Sequence, residues 1–256
     1  MSYPTAFDIA ANGATGWRSI KVEGRNTAVG QDFVPVTPNG TYRTPQVGGQ
    51  VQLRIRSGGS ADDASAGTGA REVELYGLDE NGFEITETVA TNGALASDPT
   101  SRSFLRLMGT RVSKSGTYAT QTDGSHAADI NIESTAGVLW GTIPINGFPE
   151  STSRIGAFTI PADYEGFLIG LRINASAGKT VDAVLFKREN VLEIAPPYAP
   201  MEVVAEFFNV PNVLDVAYDA PIYFPPMSDV GIMAVIDVQT ARVGSGLDLL
   251  LRKARQ

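Results

Sequence analysis

Apolar and polar residues alternate one by one along most of this chain, and no window of a dozen residues carries the three-to-four spacing of a helical stripe. In VQLRIRSG, residues 51–58, Val51, Leu53 and Ile55 fall on one side and Gln52, Arg54 and Arg56 on the other. A strand half-buried against a core has this two-residue period, because successive side chains point to opposite faces of a sheet. Similar runs occur in WRSIKVEG (17–24), ADINIES (127–133), FLIGLRINAS (167–176), VDAVLFKREN (181–190), MEVVAEFFNV (201–210), VGIMAVIDVQT (230–240) and GLDLLLRKA (246–254). Turn residues separate the runs at intervals of roughly 8–12 residues, the spacing of sandwiches and barrels. The chain is predicted to be all-β: two β-sandwich or jelly-roll-like units of antiparallel strands, with little or no helix.

The clearest local signal is REVELYGLDENGFEITETVA, residues 71–90. Asn81 and Gly82 both tolerate a positive φ, which marks a hairpin turn. A two-residue loop there would mix the two faces of the hairpin. A three-residue loop, Glu80-Asn81-Gly82, with Gly82 in the left-handed position of a bulge, pairs Gly77 with Ile85 and Val73 with Val89. Val73, Leu75, Gly77, Phe83, Ile85 and Val89 then share one face. Glu72, Glu74, Glu84, Thr86 and Thr88 take the other, beside Tyr76 and Leu78. One residue of slip would put the apolar set in water, so the bulged loop is expected. Glu87 alone lands on the apolar side, and the outer face is expected to be acidic.

The 256 residues suffice for two units of ordinary domain size. The turn-rich stretch NGFPESTS (146–153) is read as the boundary, giving an N-terminal β-sandwich over 1–148 and a C-terminal sandwich or jelly-roll-like unit over 149–256. Residues 1–16 are read as a docking arm. RSGGSADDASAGTGAR (56–71) has no apolar anchor, so residues 57–70 are expected to form a mobile loop or contact arm. With no cysteine in the chain there is no disulfide framework and no thiolate chemistry. A net charge of −8 and a pI near 4.7 argue against nucleic acid and anionic membrane as partners. The opening MSYPTAFDIAANG lacks the basic and apolar regions of a secretion signal, so synthesis in the cytosol is expected. The most apolar run, VGIMAVIDV (230–238), is too short to span a bilayer.

Catalytic chemistry is thinly represented. The one histidine, His126, has Asp123 and Asp129 nearby, but the spacing matches no metal loop and no G-x-S-x-G nucleophile signature accompanies it. A polar loop is the plainer reading, and a calcium contact through Asp123 and Asp129 the sharper one. Asp62 and Asp63 offer too few ligands for a cation and read as a solvated loop tip or an interface. Glu72, Glu74, Glu84 and Glu87 sit in strands, and Asp215 and Asp219 flank a turn, so no carboxylate pair for glycoside hydrolysis stands out. Trp17 and Trp140 lie in strand patterns, where a core position is favoured over a sugar platform. Arg252, Lys253 and Arg255 read as a frayed basic tail, with a salt-sensitive contact to an acidic neighbouring subunit the sharper alternative. No catalytic, metal or cofactor residues are assigned, and Asn81 and Gly82 are assigned as a structural turn.

The segment SADDASAGTGAREVELYGLDENGFEITETVATNGA resembles a recurring module of structural proteins of tailed bacteriophages, particularly those of marine and aquatic bacteria. The matching positions are Thr68 to Arg71, Gly77-Leu78-Asp79, Asn81-Gly82, Glu87 to Val89 and Asn92-Gly93. Downstream, Phe104 to Arg106, the DINIES strand, Thr159 to Pro161, Lys179 to Asp182, Pro221 to Pro225 and Gly246 to Leu251 follow in similar order. The resemblance covers roughly residues 50 to 254 and consists of turn and strand signatures. It implies a non-enzymatic virion protein, a head decoration (cement) protein or a tail-associated component. Such a protein is expected on the outer surface of the virion as a homo-oligomer, most simply a trimer. It would contact the major capsid protein or tail proteins, with no cofactor, nucleic acid or membrane.

Overall fold

The computed structural model describes residues 5–11, 14–43, 49–117, 124–145, 151–176, 178–237 and 240–254. A single-turn helix α1 (Ala6–Ala10) precedes β1 (Trp17–Val29), β2 (Val34–Pro35) and a 3-10 turn (Pro38–Gly40). Next come β3 (Leu53–Ser57), β4 (Ala70–Leu78), β5 (Glu84–Ala90), β6 (Arg106–Ser115), β7 (Ile130–Ser134) and β8 (Leu139–Ile143). The remaining strands are β9 (Ala157–Thr159), β10 (Tyr164–Ala175), β11 (Val181–Arg188), β12 (Glu202–Val210), β13 (Val213–Phe224), β14 (Asp229–Val235) and β15 (Ala241–Lys253). The protein is all-β, as its alternation predicts.

The division into units differs from the expected boundary near 148. One unit takes residues 1–40 together with 155–256, and the other is 41–154. The physical cause is β1, which lies antiparallel to β15 from Trp17↔Arg252 to Asn26↔Val243. The first long strand therefore buries its apolar face with the last, and the middle of the chain is an insertion.

The first unit has two sheets, β1-β15-β10-β13 and β2-β14-β11-β12. Numbering its eight principal strands in chain order gives 1-8-3-6 facing 2-7-4-5, the double Greek key of a jelly roll. Val22, Leu168, Leu171, Ile173, Leu247, Leu249 and Leu251 of one sheet, and Val181, Ala183, Leu185, Ile232 and Ala234 of the other, are buried. One apolar face per sheet makes the core, and β14, in the middle of its sheet, is buried on nearly every residue.

The insertion is spliced into a single edge strand. Val34 and Pro35 pair with Ala234 and Met233, the Val36 amide donates to the Ile232 carbonyl at 3.0 Å, and Ala157, Phe158 and Thr159 continue along Gly231, Val230 and Asp229. The chain thus leaves β14 after Val36 and resumes the same edge at Ala157. Backbones crowd at this junction: a Cβ on Gly24 would lie 2.3 Å from the Val36 oxygen and 2.5 Å from the Gly156 Cα.

The second unit holds two three-stranded sheets, β3-β7-β8 and β5-β4-β6. Its β4–β5 hairpin has the expected register, with Gly77 opposite Ile85 and Val73 opposite Val89. Gly82 adopts φ 79. The Asp79 carboxylate closes the turn by accepting the Asn81 and Phe83 amides, both at 2.9 Å. Three details depart from expectation. Phe83 is exposed, because at the hairpin tip only the turn lies beside it. Leu78 is buried, not outward, opposite the buried Arg106, where a bulge in β6 breaks strict alternation. The outer face is not simply acidic, because β6 brings Arg111 onto Glu74 at 2.8 Å and Lys114 onto Glu72 at 2.9 Å. Glu87, the odd carboxylate on the core side, accepts the Ser101 and Arg102 amides at 2.6 and 3.0 Å.

Candidate assembly surface

β12 ends one sheet of the jelly roll and β13 ends the other, and only residues 211 and 212 connect them. The two free edges therefore share one flank of the unit. A free edge presents unpaired backbone donors and acceptors, and proteins that work alone keep such edges short, charged or covered. Here the edges are nine and twelve residues long and carry exposed apolar side chains. Phe208 is 67% exposed and Val213 59%, with Val203, Met201 and Tyr223 exposed as well.

Local sequence explains why Phe208 points outward. Between Ala183↔Phe207 and Val181↔Val210, β12 spends three steps where β11 spends two, which is a one-residue bulge. Asn209 takes φ 52 inside it, and its amide donates to the Asp182 carboxylate at 2.7 Å. The bulge turns Phe207 partly inward and leaves Phe208 in solvent. A second bulge at Val204 twists the other half of the strand. β13 carries Asp215, Asp219 and Pro221 and loses register with β10 between Leu168 and Gly170. These features block open-ended strand addition while leaving side chains available for a defined contact.

Charges around this flank are set by their neighbours. Hydrogen bonds to Glu189 and then Glu202 hold the Lys187 ammonium above its ordinary pKa. Burial raises the Tyr218 phenol, whose hydroxyl finds no hydrogen-bond partner among the described residues. On the outer face of the same sheet, Trp17 and Tyr223 flank Phe167 at ring-centroid distances of 5.6 and 5.7 Å. Arg252 lies over Trp17 and Phe167 at 5.5 and 5.2 Å and binds Glu165 at 2.6 Å.

The residues singled out from sequence are scattered. Asp63 is not a solvated loop tip: it is fully buried, and its carboxylate accepts Ser57 Oγ at 2.8 Å and the amides of Ala70, Ala127 and Ala128 at 2.8, 2.9 and 3.0 Å. That carboxylate supplies the anchor that apolar residues do not, tying the 57–70 loop to β3, β4 and residues 127–128. Asp62 is exposed beside it. Arg252 and Lys253 belong to β15, and Arg252 is engaged by Glu165 and the aromatic rings, so this stretch is sheet and not a frayed tail. Arg255 and Asp123 lie outside the described residues. His126 is buried with Nδ1 2.9 Å from Ser125 Oγ, and Asp129 accepts the Ile145 amide at 2.6 Å. Trp140 is buried, while Trp17 is only half-buried, beneath Arg252. Within residues 1–16, Ile9 of α1 is buried and Phe7 is exposed. Alternation alone missed the β12–β13 edge, although adjacent Phe207 and Phe208 followed by Asn209 already break the two-residue period.

No protein-family model matches the chain, and no curated protein matches it. Among solved structures it is similar to that of infectious bursal disease virus Gx strain, at 13% identity and a TM-score of 0.25, over 94% of this chain and 72% of that one. It is similar to the VP2 subviral particle of the same virus at 10% identity and a TM-score of 0.18, over 94% and 76%. For T=1 particles derived from infectious bursal virus the values are 11% and 0.13, over 94% and 79%. Likeness this slight leaves function to the chemistry of the chain's own surface.

Proposed function

We propose that this chain is a non-enzymatic structural protein of a virion, a capsid decoration protein that coats the outside of a head and bridges neighbouring capsomers. The observation that carries the reading is the free β12–β13 flank, with Phe208 held in solvent by a bulge. An isolated protein gains nothing from that exposure, whereas a protein in an array buries it. The jelly roll is a framework on which capsid proteins are built, a likeness of architecture and not of site. The resemblance of the turn and strand signatures over roughly residues 50 to 254 to those of tailed-phage structural proteins favours the same reading. Its partners are copies of itself and the major capsid protein, and it is made in the host cytoplasm.

The mechanism is burial. An interface of about 1,600 Å² suffices for stable attachment, and many copies on one shell add avidity. Bridging copies then oppose separation of the capsomers beneath them. A sugar-binding role requires a row of free aromatic faces, but Trp140 is buried and Arg252 covers Trp17.

Immunogold labelling of intact particles, imaged by electron microscopy, tests the proposal. Gold over the whole head is expected. Gold confined to the tail or one vertex would replace decoration with a tail adaptor, baseplate or fibre role, and unlabelled particles, whether intact or opened, would overturn the virion reading.

A further inference from the structure

We infer that the jelly-roll unit associates head to tail, the β12–β13 flank of one copy packing against the β1 edge of a second copy. The inference deepens the assembling role proposed above by naming the contact, and it rests on charge. β12 and β13 carry four carboxylates, Glu202, Glu206, Asp215 and Asp219, and no basic residue. Glu202 is engaged by Lys187 at 3.1 Å and Asp215 by Arg172 at 2.8 Å. Glu206 and Asp219 are exposed and hold no ion pair among the described residues. Two such flanks meeting across a two-fold axis would oppose carboxylate to carboxylate.

The opposite flank has the complementary character. β1 ends its sheet there and carries Arg18, Lys21 and Arg25 against the single carboxylate Glu23. The Lys21 side chain is 72% exposed and only loosely placed 3.6 Å from Asp248. Ser19, Lys21, Glu23, Thr27 and Ala28 are exposed, so these side chains are open to a second copy. The aliphatic stem of Lys21 gives Phe208 and Val203 of the next copy apolar surface, and its cationic head meets Glu206 and Asp219. A contact between unlike patches repeats until a rotation closes it, and three copies form the smallest ring that does so.

Native mass spectrometry and light scattering on the full chain test this, with circular dichroism to verify that each variant keeps its strands. The wild type should be a closed oligomer. Lys21→Glu alone, and Glu206→Lys with Asp219→Lys, should each raise the dissociation constant by about tenfold or more. All three substitutions in one chain should restore association, since the two flanks then exchange charge. Phe208→Ser should weaken the oligomer at every salt concentration, whereas the charge effects should shrink in high salt. If the β12–β13 variants dissociate the oligomer and Lys21→Glu does not, the contact joins like flanks and the head-to-tail arrangement is wrong. A wild type that stays monomeric overturns it too. Particle labelling is independent: a monomer that still decorates heads would sink this contact and leave the virion role standing.

Discussion

Asp182 on β11 accepts the backbone amide of Asn209 on β12 at 2.7 Å, across a bulge in which Asn209 takes φ 52. A non-glycine residue in that region is strained, and the carboxylate helps to hold it there. One short hydrogen bond thus sets the direction of the exposed phenyl ring beside it.

Asp182→Ala should lower stability by about 1 kcal/mol through the lost hydrogen bond. Asn209→Gly keeps the donor and removes the Cβ penalty, so it should be neutral or stabilising by up to about 1 kcal/mol. Urea midpoints read both. If Asn209→Gly is clearly destabilising, the left-handed geometry at this bulge is not what the residue is tolerating.

Neighbouring Asp62 and Asp63 should behave in opposite ways. Asp63→Ala strands a hydroxyl and three amides in the interior and should cost about 3 kcal/mol or more. Asp62→Ala, on the exposed side, should stay within about 0.5 kcal/mol of wild type. Equal effects on the unfolding midpoint would contradict the buried anchor.

Because the insertion leaves and rejoins one strand, it should be removable. Replacing residues 41–154 with a short glycine-rich link should give a folded jelly roll, as domain insertions do when their ends lie together. A dispersed amide NMR spectrum and a cooperative unfolding transition are the expected results. An unfolded product would mean that the unit depends on the insert.

Alkaline pH should destabilise the fold. Burial raises Tyr218 above 10.0, burial and then Glu165 raise Tyr223 above 10.0, and Glu189 and Glu202 raise Lys187 above 10.5. In each case the folded state keeps a proton that the unfolded chain releases. Stability should therefore be level below about pH 10 and fall as pH rises through the folded values. Tyr218→Phe should soften that fall and, by removing an unpartnered hydroxyl, be neutral or stabilising by about 1 kcal/mol at neutral pH. Urea midpoints between pH 8 and 11 check both statements.

What the sequence determined by itself is local. Strand identity and the Gly77↔Ile85 register follow from a two-residue period and one Asn-Gly turn, because both depend on neighbours within a few residues. Partition of the chain into units was out of its reach, since Trp17 and Arg252 meet only after the whole sequence has folded back on itself. Asp63 looked solvated because its four donors come from Ser57, Ala70, Ala127 and Ala128, three separate stretches. The surface proposed for assembly is tertiary in the same sense. Alternation recurs along the chain, but only the order of strands in the two sheets decides which of them, β12, β13 and β1, stand at an edge of their sheet among the described residues.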